Sequence, residues 1–163
     1  MIINRHKGFT YIEVLVVLTV MAIISAIAFP AYKKYQTEKD LEAFCETFEH
    51  DLKLAKQIAR STGGAIITFY RVPEDITKPN YPIRYSYFEI KDGTGALHKK
   101  SFISDRVGIE GVPLSNYIVY RTNGALSVDH TANIVITLTS KGCKKYGQLT
   151  INKDTGAVDL VYK

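Results

Sequence analysis

Among the 163 residues, the side chain best placed to do chemistry is Glu13, a carboxylate at the edge of the uncharged run 14–32, VLVVLTVMAIISAIAFPAY. A carboxylate beside so apolar a segment is costly unless it meets a donor or a cation, so an ionisable residue there is a functional candidate. Thr10 stands three residues earlier, in the S/T-x-x-E spacing of a capping box, where hydroxyl and carboxylate satisfy orphan amides at a helix start. Cys45 and Cys143 are the two thiols, and they either form one disulfide in an oxidising compartment or stay separate. A bridge would close a loop of about 98 residues and contribute on the order of 4 to 5 kcal/mol in the chain-entropy picture. Lys141, Lys144 and Lys145 beside Tyr146 form the dense basic cluster after the apolar run, with Lys99-Lys100 a smaller one. Such a cluster either contacts nucleic-acid phosphates, with the aromatic stacking on bases, or is a solvated turn. His6, His50, His98 and His130 are scattered without metal-ligand spacing, and Asp129-His130 has no nucleophile motif such as G-x-S-x-G. Gly93-Thr94-Gly95 lacks the continuation of a phosphate loop. The expectation is therefore no enzyme, no metal and no cofactor.

The elements that position these groups follow from periodicity. Nineteen uncharged residues reach roughly 28 Å as a helix, close to the hydrocarbon thickness of a bilayer. The run passes directly into Pro30-Ala31-Tyr32-Lys33-Lys34, so it lacks the cleavage site that should end a secretory signal, although Ala26-Ile27-Ala28 loosely mimics one. From 33 to 61 apolar residues recur at three and four positions through Leu41, Phe44, Cys45, Phe48, Leu52, Ala55, Ile58 and Ala59, which predicts an amphipathic helix stopped by Gly63-Gly64. Asp51, Glu49 and Lys53 fall among its polar positions. Joined, 9–61 make a stem of roughly 80 Å, with Pro30 either kinking it or dividing it in two. After Gly64 the pattern turns to strands at 65–71, 83–91, 96–103, 117–121, 134–139, 148–152 and 157–161, separated by turn signals; Thr122-Asn123-Gly124 and Asp154-Thr155-Gly156 suggest tight hairpins. The segment from Pro73 to Pro82 reads as an irregular loop. The fold class is α+β: a long N-terminal helix, membrane-spanning in its first half and amphipathic in its second, packed on an antiparallel β-rich head.

The residues ahead of the span carry a resemblance. Lys7-Gly8-Phe9-Thr10-x-Ile12-Glu13, after a short leader holding Arg5 and before a long apolar helix, resembles the class III signal of type IV prepilins and pseudopilins. Pro30, at the twenty-second position counted from Phe9, matches their helix-bending proline. More diffusely, Leu52-x-Leu54-Ala55-x-Gln57-x-Ala59, Asn123-Gly124 and the hairpin at Gly156 resemble minor pseudopilins of the GspH/FimT type, with the D-type pseudopilin of competence pili among similar chains.

The resemblance implies a leader at 1–8, a transmembrane and assembly helix at 9–32, and a pilin-like head at 33–163 made of the amphipathic helix 33–61 and β-sheet at 65–163. A prepilin peptidase would cut between Gly8 and Phe9 and methylate the new amine of Phe9. Glu13 would pair with the methylated terminus of a neighbouring subunit. Other pilin or pseudopilin subunits, the membrane and an assembly platform would be the partners, with the chain anchored once in the cytoplasmic membrane and its head outside. Flanking charge alone does not orient the span, because Arg5 and Lys7 are balanced by Lys33, Lys34 and Lys39. The implied function is a minor subunit of a pilus for DNA uptake or pilus biogenesis; a type II secretion pseudopilin and a DNA-binding minor pilin are the alternatives. DNA-binding members of the FimT branch carry arginines beside a C-terminal glycine, whereas this chain reads Thr155-Gly156-Ala157-Val158-Asp159. Loss of the leader lowers the net charge from +5 to +3, which weakens the case for DNA as a partner.

Overall fold

The computed structural model describes residues 9–72 and 85–163; the leader 1–8, with Gly8, and the segment 73–84 lie outside the described residues. One helix, α1, runs from Tyr11 to Thr62 without interruption. Pro30 is inside it, so the alternative of two separate helices is not what forms. The ring deprives one carbonyl of its donor, and a bend is the ordinary response of a helix to that loss. At the other end Gly63 takes φ +92°, the left-handed conformation that closes a helix at little cost only for glycine.

Two compact units divide between Gln36 and Thr37. In the first, residues 9–36 are exposed throughout, including Val16, Leu18, Met21, Ile24, Ile27 and Phe29. This stretch is long and apolar enough to cross a membrane.

The second unit holds the core. Strands β1 (Ala65–Arg71), β2 (Tyr85–Asp92), β3 (Leu97–Phe102) and β5 (Tyr117–Tyr120) form one antiparallel sheet in the order β3-β2-β1-β5. Strands β4 (Val107–Glu110), β6 (Ile134–Ser140), β7 (Gly147–Ile151) and β8 (Val158–Tyr162) form a second, in the order β4-β6-β7-β8. Antiparallel pairing with one buried face explains the alternation: Ile134, Ile136 and Leu138 are buried while Val135 is exposed. The helix stripe covers both sheets. Phe48 meets Phe69 and Phe88 edge-on at centroid separations of 6.1 and 5.2 Å. Cys45 lies against Gly147 so closely that a Cβ there would stand 2.4 Å from its Sγ.

Three expectations change. The β-rich region is two sheets rather than one, and it includes a strand, β4, that the pattern did not predict. Asn123-Gly124 does form a tight turn, closed by Arg121 N–H donating to Ala125 O and Gly124 N–H to Arg121 O, but β5 pairs with β1 and meets the following chain only through the Tyr120–Leu126 bridge. Asp51 does not face water: it is fully buried and accepts from Lys99 Nζ and from Ser101 Oγ at 2.8 Å. The Asp154-Thr155-Gly156 turn, by contrast, joins β7 to β8 as a hairpin.

Candidate processing and assembly site

Thr10 and Glu13 start α1 as a closed capping box. The Thr10 backbone N–H and hydroxyl both donate to Glu13 Oε2, at 2.7 and 2.8 Å, and the Glu13 N–H donates to Thr10 Oγ1 at 3.3 Å. Val14 N–H reaches Thr10 O at 3.3 Å, the first turn of the ladder. The sequence produces this locally, because a threonine at the cap and a glutamate three residues on are mutually satisfying. One carboxylate oxygen, Oε1, takes no hydrogen bond among the described residues. Phe9, next to the expected cut, is 90% exposed, and Tyr11 and Ile12 are exposed beside it. The site thus presents an anionic oxygen with spare acceptor capacity at the head of an uncovered apolar helix. Such an oxygen can take a cation, and where lipid or packed helices exclude water a carboxylate left without one is costly.

The other candidates belong to the second unit. Cys45 and Cys143 are both free thiols, so the disulfide is not formed in the structure. Cys45 is completely buried, with its sulfur packed on the Gly147 backbone, and burial pushes its thiol up to about 11. A thiol so protonated is a poor nucleophile. Cys143 is half-buried in the turn that separates β6 from β7.

Lys141, Lys144 and Lys145 are exposed in that same turn, and Tyr146 is tied by its backbone to Lys163 through two 3.0 Å bonds. Lys145 stands near Glu42 of α1, whose carboxyl is held low first by Lys39 and then by this lysine. The smaller cluster divides: Lys99 turns in to Asp51, while Lys100 lies over the Tyr87 ring at 3.8 Å. His98 bonds Asp92 at 2.9 Å, and His130 is buried with Nε2 facing the Val119 N–H at 3.4 Å. No group of three or more potential metal ligands occurs among the described residues.

Asp51 is the residue that sequence reasoning missed. Its spacing held the signal: Phe44, Phe48, Asp51 and Ala55 lie four, three and four apart, so a carboxylate occupies a position of the buried stripe.

Comparison with known proteins agrees with both units separately. Residues 3–29 match the prokaryotic N-terminal methylation motif. The chain is 42% identical over 45 residues to prepilin peptidase-dependent protein D of Escherichia coli (strain K12), covering 28% of this chain and 31% of that protein. It is 39% identical over 61 residues to a fimbrial protein of Moraxella nonliquefaciens, covering 37% and 38% respectively. The matches thus span about a third of the length of these relatives. In structure, the chain resembles the type IV minor pilin FimU of Pseudomonas aeruginosa (strain PAO1), with a TM-score of 0.57 at 15% identity over 78% of this chain and 92% of that one. A methylation-motif terminus and a pilin fold therefore occur together in one chain.

Proposed function

We propose that the protein is a minor pilin or pseudopilin subunit, processed by a prepilin peptidase between Gly8 and Phe9, methylated on the Phe9 amine and assembled into a pilus-like filament. Before assembly α1 anchors the chain once in the cytoplasmic membrane, with the head on the outer side. The apolar run 14–32 then leaves lipid for the stems of other subunits, an exchange between two apolar environments that the hydrophobic effect alone does not oppose. Register along the filament is set by Glu13 pairing with a neighbour's methylated amine. The chemistry of the protein is assembly, with an assembly platform as the partner that extracts the subunit.

One observation carries the reading: Glu13 stands at the start of an exposed apolar helix with Oε2 alone hydrogen-bonded among the described residues. The capping box is compatible with that role, since Thr10 occupies only Oε2. Replacing Glu13 by Ala should leave cleavage at Gly8-Phe9 intact and abolish incorporation into filaments, measured by comparing membrane and sheared-filament fractions. Normal incorporation of the variant would remove the pairing role. The machine served is a DNA-uptake pilus or a pilus-biogenesis system, with protein export through a type II system as the second reading. Loss of transformation, of pili or of secretion in a deletion strain separates the three.

A further inference from the structure

The strands β3 and β4 follow one another in the chain, joined by residues 103–106, yet they do not pair. Each is the edge of a different sheet: among the described residues β3 pairs with β2 alone and β4 with β6 alone. Ile103 N–H donates to Ser86 O at 2.9 Å, and backbone groups alternate in direction along an antiparallel ladder. The N–H and C=O of Lys100 and Phe102 therefore point away from β2. On β4, Arg106 O accepts from Lys141 N–H at 3.4 Å, and the same alternation directs the Ile109 N–H and C=O away from β6. Both edges thus offer backbone groups of the kind that a sheet ordinarily pairs, covers or guards.

Between these edges and α1 lies a cleft of about 360 Å³, lined by Ser101 and Phe102 of β3, Val107 of β4 and one face of the helix. Its floor is apolar, with Phe48 and Phe88 each 1% exposed and Phe44 beside them. Ala43 and Thr47, at exposed positions of α1, line it as well. All of these residues belong to the second unit. Close-packed interiors leave few voids much larger than a water, whereas apolar clefts of this volume are the usual seats of ligand groups.

The two faces of β3 specify what an added strand would carry. Lys99 and Ser101 turn toward α1, where both bond Asp51. Lys100 and Phe102 turn the other way, onto the Tyr87 ring at 3.8 and 6.0 Å. Side chains of a strand laid along β3 would alternate in the same manner. One set would enter the apolar cleft, and the other would lie outside it against Lys100 and Phe102. From Ala96 to Ile103 the chain holds His98, Lys99 and Lys100 and no acidic residue. Lys100 stands 3.8 Å from Glu89, and Arg106, at the near end of the cleft, stands 3.6 Å from Asp40 with both side chains exposed. These loose pairs leave both cations able to take a further carboxylate. A second copy paired through β3 would instead set basic side chains against one another, which is destabilising across strands.

We infer that the cleft between β3 and β4 binds an extended segment of a partner protein in which acidic and large apolar residues alternate. The segment adds as a strand to β3, bonding the backbone of Lys100 and Phe102. Its apolar side chains rest on Phe48 and Phe88, and its carboxylates lie outside, opposite Lys100 and beside Arg106. In strand addition the main-chain bonds supply affinity and the pockets for alternate side chains supply specificity. The free edge and the apolar cleft are separate observations that call for the same occupant. The inference stands apart from the assembly reading, because it concerns the head alone.

The test uses the full chain in phosphatidylcholine nanodiscs and a short fluorescein-labelled peptide that alternates glutamate with valine around a central phenylalanine. Anisotropy should show binding, and hydrogen exchange at the Lys100 and Phe102 amides should slow in the complex. Thr47→Trp, which fills the cleft from an exposed helix position, should weaken binding by about tenfold or more. Lys100→Gln with Arg106→Gln should weaken it by about fivefold, the worth of two exposed ion pairs. Both variants should keep the thermal transition of the unaltered chain. The same peptide methylated on its backbone nitrogens should not bind, because strand addition needs its N–H donors. No binding of the alternating peptide, undiminished binding by folded Thr47→Trp, equal binding of the methylated peptide or unchanged amide exchange would each overturn the inference. Binding that appears only after residues 73–84 are replaced by a Gly-Ser linker would overturn it by assigning the cleft to the chain's own segment. Dimers of the unaltered chain that the peptide dissolves would do so by assigning it to a second copy.

Discussion

At the scale of single residues, the buried pair of Asp51 and Lys99 shows how a charge can be both a liability and a fastener. Asp51 is fully buried on α1, whereas the Lys99 side chain is 35% exposed on β3, so the two partners respond differently to deletion. Lys99→Met leaves the buried carboxylate with the Ser101 hydroxyl and, at 3.9 Å, the exposed His50 ring, and should cost about 3 to 5 kcal/mol in urea unfolding at a pH where that ring is neutral. The double variant Asp51→Leu, Lys99→Met should recover most of that loss, because no charge then remains buried; failure to recover would mean that the pair adds stability beyond cancelling its own burial. His130 is a second buried polar residue. Its Nε2 accepts from the Val119 N–H, which only the neutral ring can do, and burial lowers its ionisation despite Asp129 beside it. Neutral His130 therefore contributes stability that is complete above the unfolded value near pH 6.5 and is lost as pH falls from there toward the folded value. The melting temperature of the unaltered chain should drop across that window more than that of His130→Gln. Equal drops would show that His130 does not titrate with folding.

At the scale of elements, the helix, its glycine stop and seven of the strands were legible because their signals are local: a 3.6-residue stripe, period-two alternation and turn residues between them. What was not legible depended on distant partners. β4, Val107–Glu110, is four residues long, contains a glycine and follows a turn, so nothing in its own sequence marks it; it exists because β6 offers an edge, with Val107 opposite Ser140 and Ile109 opposite Leu138. The split into two sheets is equally hidden, since β3 and β4 are close in sequence yet pair with different neighbours. The inward turn of Asp51 was present in the spacing and concealed by residue type. The disulfide was suggested by cysteine number, but number says nothing of orientation, and the Cys45 sulfur is directed onto Gly147. The contact between the 121–125 and 152–156 turns is likewise a product of the fold. There Gly156 has φ +61° and no room for a side chain. Gly156→Ala should therefore destabilise the chain by about 2 to 3 kcal/mol, combining left-handed strain with overpacking. An unchanged unfolding midpoint would mean that the two turns do not meet.

At the scale of the whole molecule, the chain combines two solvents. Residues 37–163 build a self-sufficient core in which one helix stripe covers two sheets, while residues 9–36 bury nothing of their own. Exposed apolar surface on that scale is stable only in lipid or among other apolar helices, and the proposed assembly places it first in one and then in the other. The order of events depends on where the chain is cut. Cleavage ahead of the span keeps the helix and frees the Phe9 amine for methylation; cleavage after it, at Ala26-Ile27-Ala28, would discard the assembly element and release the head. The most direct measurement is the intact mass and N-terminal sequence of the protein purified from membranes of its own host. The expected product is a chain that begins at Phe9, bears one methyl group on its amine and retains the whole of α1. A chain that still begins at Met1, or one that begins beyond Ala28, would contradict it.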